Sequence, residues 1–196
     1  MHNLNHLEPD KIILIGASTG GPGHIQKIIQ ALPDNLSAAV IIAQHMGDSY
    51  IPSFVNQLQK ISSLKIQAAE DGMEINPGKI YICSFVTQVV AISSQQLEFR
   101  QSNPATSRYN PDIDQLFISA SVLVSKQKIL SIILTGVGDD GAKGCKMLSD
   151  KGAKCIAECE TTAIVYGMPL QAKLMVKNIA IQSLQEIIKS IQLFGR

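Results

Sequence analysis

The stretch Lys11-Ile12-Ile13-Leu14-Ile15-Gly16-Ala17-Ser18-Thr19-Gly20-Gly21-Pro22 decides the fold. Ile12 to Ile15 form an unbroken apolar run, mostly β-branched, that stops at Gly16. A strand with one wet face would alternate, so this run predicts a strand covered on both faces, as in a parallel sheet. A glycine-rich turn follows. Pro22 suits the first turn of a helix, where its missing N–H forfeits no intrahelical bond. Ile25, Ile28, Ile29 and Leu32 then recur at helical spacing.

Outward from there the pattern repeats. Residues 38–43 read as a second buried strand ending in Gln44-His45, and 51–61 as a second helix. Residues 65–69 suit a short third strand. Between 79 and 101, two or three strands alternate and are divided by turn residues, which predicts an antiparallel hairpin at one sheet edge. A polar loop with two prolines, 103–111, leads into helical spacing over 112–125, with Ile113, Leu116, Phe117 and Ala120 on one face. The strongest strand signal, 129–134, runs into Thr135-Gly136-Val137-Gly138-Asp139-Asp140-Gly141. A helix over 142–150, a strand over 153–157 and a last helix over 184–193 complete the series. Alternating helices and buried strands predict a doubly wound α/β fold, mostly parallel, with helices on both faces. No internal repeat or linker divides it. One domain over 11–196 is expected, after a loose leader at 1–10.

Composition excludes several functions. The 196 residues can bury a substantial core without disulfides or metal. A formal charge of +1 and 5% aromatic residues leave neither the electropositive footprint nor the stacking platforms of a nucleic-acid binder. Cys83, Cys145, Cys155 and Cys159 have no C-x-x-C spacing, so they read as buried or half-buried thiols in a reducing compartment. The first residues lack the pattern of a signal peptide. No apolar run reaches the ~20 residues that span a bilayer. A soluble cytoplasmic protein is expected.

Three strand ends carry unusual residues, and a parallel sheet would gather them at one edge. Gly16-Ala17-Ser18-Thr19-Gly20 fits G-x-S-x-G, the turn that presents a serine hydroxyl above a sheet. The helix after it leaves N–H groups near Thr19, Gly20 and Gly21 free to hold an oxyanion. Read alone, the motif serves equally well as a helix cap. A dinucleotide loop is the rival, but Ser18 replaces the middle glycine of G-x-G-x-x-G, and the second strand ends in Gln44-His45 rather than an acid. Among the histidines, His2 and His6 lie in the leader, and His24 is expected to face solvent from the first helix. His45 follows a buried strand, where a neutral imidazole can take a serine proton. Asp139 and Asp140 suit a turn, yet an imidazole also needs an acceptor to fix its tautomer.

These blocks, together with Glu70-Asp71-Gly72, Pro111 with Asp114, Leu116 and Phe117, and Val165-Tyr166-Gly167-Met168-Pro169, resemble the catalytic domain of the CheB chemotaxis methylesterase family. They stand in the family's order from about residue 11 onward. The resemblance implies a serine hydrolase that removes methyl groups from glutamates on the cytoplasmic helices of chemoreceptors, with related enzymes also deamidating receptor glutamines. It places the catalytic residues on Ser18, His45 and Asp140. It puts one oxyanion donor on the Val137 backbone, where the family commonly has methionine, to act with that of Thr19. No metal or organic cofactor is implied, and a monomer is expected. Typical members also carry a receiver domain, which is not expected within these 196 residues. Arg108-Tyr109-Asn110-Pro111 departs from the family's more basic segment, a difference expected to bear on receptor docking. The alternatives are a receptor-binding module with a vestigial site and a nucleotide-binding domain.

Overall fold

The computed structural model describes residues 9–93, 96–103, 105 and 107–196. The expected leader, with His2 and His6, lies outside the described residues up to position 8, as does Pro104 of the polar loop.

Seven strands form one parallel sheet: β1 (Lys11–Ala17), β2 (Ala39–Gln44), β3 (Lys65–Ala68), β4 (Lys79–Ile82), β7 (Lys128–Ile133), β8 (Lys154–Glu158) and β9 (Ala180–Gln182). Their spatial order is β3-β4-β2-β1-β7-β8-β9, every pair parallel. The remaining strands, β5 (Thr87–Ser93) and β6 (Gln96–Gln101), make an antiparallel sheet of their own. Thus the expected hairpin is present, while the first strand of the 79–101 segment joins the main sheet.

The unbroken apolar run of β1 has the meaning its sequence implied. Ile12, Ile13, Leu14 and Ile15 are all fully buried. Side chains alternate across a strand, so Ile12 and Leu14 enter one core and Ile13 and Ile15 the other. The first core is closed by α3 (Ile113–Ala120), α4 (Ala142–Asp150), α5 (Met168–Met175) and the hairpin residues Val89, Leu97 and Phe99. The second is closed by α1 (Gly21–Gln30), α2 (Ile51–Gln59) and α6 (Leu184–Phe194). Helices therefore cover both faces. Each buried isoleucine contributes roughly 1.5–3 kcal/mol over an exposed one.

Three elements differ from the sequence reading. Helix α3 is shorter than 112–125, because Asp112 caps it, accepting from the Gln115 N–H at 2.7 Å, and a 3₁₀ turn over Ser121–Leu123 ends it. Helix α5 and strand β9 were not foreseen. Leu174 and Met175 are exposed on α5, which blurs its apolar stripe, and β9 has only three residues.

Strand β1 is the pivot. The chain builds β2, β4 and β3 on one side of it and β7, β8 and β9 on the other. Ligand crevices form at the carboxyl ends of strands where the order reverses like this. No described helix is long and apolar enough to cross a membrane.

Candidate active site

The three motif-bearing loops leave β1, β2 and β7, which are neighbours. Ala17 is paired in register with Gln44, so Ser18 and His45 leave adjacent strands at the same level. Adjacent strands lie about 4.8 Å apart in the hydrogen-bonding direction. The ladders run on into the loops. The His45 N–H donates to the Ala17 carbonyl at 2.9 Å, and the Ser18 N–H donates to the Thr135 carbonyl at 3.0 Å.

Ser18 is half-buried in a tight turn. Gly20 caps α1 with φ of +83°, a left-handed conformation that glycine adopts without a Cβ clash. Gly136 is required for a different reason: a Cβ there would stand 2.7 Å from the Ser18 Cβ and 2.3 Å from the Met168 sulfur. The β7 loop can lie flat against the serine only because position 136 has no side chain. Val137 follows, its side chain exposed, and Thr19 is exposed on the other side of Ser18.

His45 Nε2 lies 2.7 Å from Asp140 Oδ2. The Asp140 carboxylate is buried and also accepts the backbone N–H groups of Ile113 and Asp114, both at 2.9 Å. These are the first N–H groups of α3, which have no partner inside the helix. A helix N-terminus thus holds the carboxylate that orients the imidazole. Asp139, the other acid of the pair, is exposed. Asp114 stands beside this group and donates one of those N–H bonds. Burial, reinforced by the nearby Asp140 and Asp112 charges, pushes its carboxyl up to about 6 despite the bond from the Gly144 N–H.

Several neighbours carry no motif signal. Tyr109 stacks on the His45 ring, centroids 4.8 Å apart and planes 10° from parallel, with the Arg108 guanidinium over its ring. The 108–111 segment therefore bears on the imidazole as well as on the outer surface. The Gln44 side-chain amide reaches the carbonyls of Ser18 and His45. Under the β7 turn, the fully buried Glu158 accepts the Thr135 N–H at 2.9 Å and the Thr162 hydroxyl at 2.8 Å. His24 completes that cluster with Nδ1 3.2 Å from the Glu158 carboxylate. This corrects the expectation that His24 faces solvent: it is 5% exposed, turned inward to a buried acid that the local sequence could not reveal.

Cys83, Cys145 and Cys155 are buried and Cys159 half-buried, all as free thiols. Burial pushes the Cys83 thiol up to about 12, as befits an inert packing residue. Among the described residues no group of His, Cys, Asp and Glu is arranged to hold a metal ion.

Fold and site together define a doubly wound α/β protein with serine, histidine and aspartate on three neighbouring strand ends. The family model described as CheB methylesterase matches residues 13–191, and the chain belongs to that family. The crystal structure of the Thermotoga maritima CheB methylesterase catalytic domain superposes with a TM-score of 0.83 at 31% identity, covering 93% of this chain and 97% of that one. A protein-glutamate methylesterase/protein-glutamine glutaminase of Carboxydothermus hydrogenoformans is 38% identical over 83% of this chain and 47% of its own length. A protein of the same name from Clostridium acetobutylicum is 34% identical over 86% of this chain and 49% of its own length. The chain spans about half the length of the curated relatives it matches.

Proposed function

We propose that the chain is a serine hydrolase acting on glutamate γ-methyl esters of cytoplasmic chemoreceptor helices. The observation that carries this reading is the 2.7 Å His45–Asp140 pair, held by a helix N-terminus beside the Ser18 turn of a CheB-family chain. A carboxylate only accepts, so the His45 Nε2 carries the proton and Nδ1 is left as the base. His45 takes the Ser18 hydroxyl proton while the Ser18 oxygen attacks the ester carbonyl carbon. Backbone N–H groups of Thr19 and Val137 receive the tetrahedral oxyanion. The bond to the methoxy oxygen breaks, and methanol leaves with the proton from His45. Water then cleaves the acyl-enzyme by the same proton relay and restores Ser18. Valine serves at 137 because the donor there is backbone. Every group in the sequence is a side chain or peptide of this chain, with no cofactor required.

The names of the relatives include protein-glutamine glutaminase. Glutamine differs from the ester only in its leaving group, so the same site supports deamidation with ammonia as product. We place the protein in the cytoplasm as a monomer. The test is methanol release from methylated receptor membranes, comparing this chain with Ser18→Ala. Release that depends on Ser18 is expected. Receptor binding that survives Ser18→Ala, with no methanol from either protein, would mean a binding module instead. Calorimetric heat with NAD or ATP would mean a nucleotide site.

A further inference from the structure

We propose that Gln44 is a positioning residue: its amide ties the nucleophile turn to the base turn and fixes the spacing between them. This rests on the hydrolase reading and adds to it a residue outside the triad.

Gln44 is the last residue of β2 and is 1% exposed. Its Nε2 donates to the Ser18 carbonyl at 2.9 Å and to the His45 carbonyl at 3.0 Å. Both hydrogens of one NH₂ group are thus spent on the peptide carbonyls of the two residues between which a proton must pass. The amide has no freedom to flip, since the opposite orientation would set its oxygen against two carbonyl oxygens.

Its Oε1 accepts no hydrogen bond from the described residues, although it is buried. It packs against Gly21, where a Cβ would come within 2.1 Å of it. Leaving a buried carbonyl unpaired costs about as much as two neutral hydrogen bonds return. An unbranched apolar side chain would fill the same space without an orphaned Oε1, but would take from the His45 carbonyl its Gln44 donor. Stability therefore accounts for the bond to the His45 carbonyl but not for the one to Ser18. Position does: the Ser18 carbonyl already accepts the Gly21 N–H at 2.8 Å, so it needs no second donor for its own satisfaction. For the Ser18 carbonyl the added bond is redundant as satisfaction and useful as a tether to His45. Proton transfer from serine to imidazole requires hydrogen-bond reach, and misplacement by an ångström can cost about 100-fold.

The test compares wild type with Gln44→Glu and Gln44→Met. Glutamate buried at this site is held protonated by desolvation and keeps a single O–H donor. Methionine keeps the length and has no donor. Turnover for methanol release and the rate of Ser18 labelling by a fluorophosphonate, each per folded molecule, should follow donor number: wild type, then Gln44→Glu, then Gln44→Met. For Gln44→Met we expect a fall of about 10- to 100-fold in kcat and labelling. KM should stay within about twofold and the thermal midpoint within a few degrees.

Wild-type labelling and kcat in folded Gln44→Met would overturn the proposal. So would losses matched throughout by the unfolded fraction, since a space-filling role predicts that. If Gln44→Met does not fold, Gln44→Glu decides, and a wild-type labelling rate per folded molecule overturns the tether. Failure of the hydrolase reading is separable, because there the wild-type protein itself is neither labelled at Ser18 nor releases methanol.

Discussion

Ser18 and His45 have no substitutes for their proposed tasks, so Ser18→Ala or His45→Ala should each lower methanol release on the order of 10⁶-fold. Asp140→Asn should cost roughly 10⁴-fold, because the imidazole then loses the acceptor that fixes its tautomer. Asp139→Asn should stay within a few-fold of wild type, since that side chain is exposed while Asp140 is buried against His45. Comparable losses from the two aspartates would overturn the choice between them. Ser18 and His45 could be singled out in the sequence because each directly follows a strong apolar strand, whereas Asp140 lies seven residues beyond β7 and was preferred to Asp139 only through the family resemblance. Gln44, Tyr109 and Glu158 were not legible there. What they do depends on contacts with segments far away in the chain, and no local spacing records that the Tyr109 ring lies on His45 or that Glu158 lies under Thr135.

At the scale of single elements, helix α3 carries a pH dependence. The Asp114 carboxyl titrates near 6 when folded, above the roughly 3.9 of an unfolded chain. Between those values the folded state holds the extra proton. The contribution of Asp114 to stability is therefore complete below about pH 4 and is lost as pH rises through about 6. Asp114→Asn keeps a carbonyl to accept the Gly144 N–H and has no proton to lose. Urea midpoints at pH 4.5 and pH 7.5 should fall more steeply for wild type than for this variant. A Cβ at position 136 acts on another element, the β7 loop. Gly136→Ala should cost about 1–3 kcal/mol through overpacking, read from the same denaturation curves. It should also displace Ser18 and lower turnover, because the clash is with the serine itself. Elements with a dense apolar signal, β1, β2 and β7, were read nearly to the residue. The hairpin was recognised from its alternation, but β4 reads like a hairpin strand and pairs as a parallel one, a choice made by the partners β2 and β3.

Across the whole molecule, the fold joins distant segments through a few buried polar contacts. His24 on α1 and Glu158 at the end of β8 are 134 residues apart in the chain. His24→Leu removes one of three partners of Glu158, which keeps Thr135 and Thr162, and loss of this buried hydrogen bond should destabilise the protein by about 1–3 kcal/mol. Equilibrium unfolding would register it; a change below about 0.5 kcal/mol would show the pair to be dispensable.

The backbone ladders that continue past the strands into Ser18 and His45 have a consequence for how the protein fails. Loops in most enzymes open locally, well below the cost of global unfolding. Here the His45 amide is bonded to Ala17 of β1 and the Ser18 amide to Thr135 just beyond β7, so their hydrogen exchange should be nearly as slow as that of β1 itself. Heat inactivation should then share its midpoint with the melting of the sheet, leaving no temperature range in which the protein is folded yet inert.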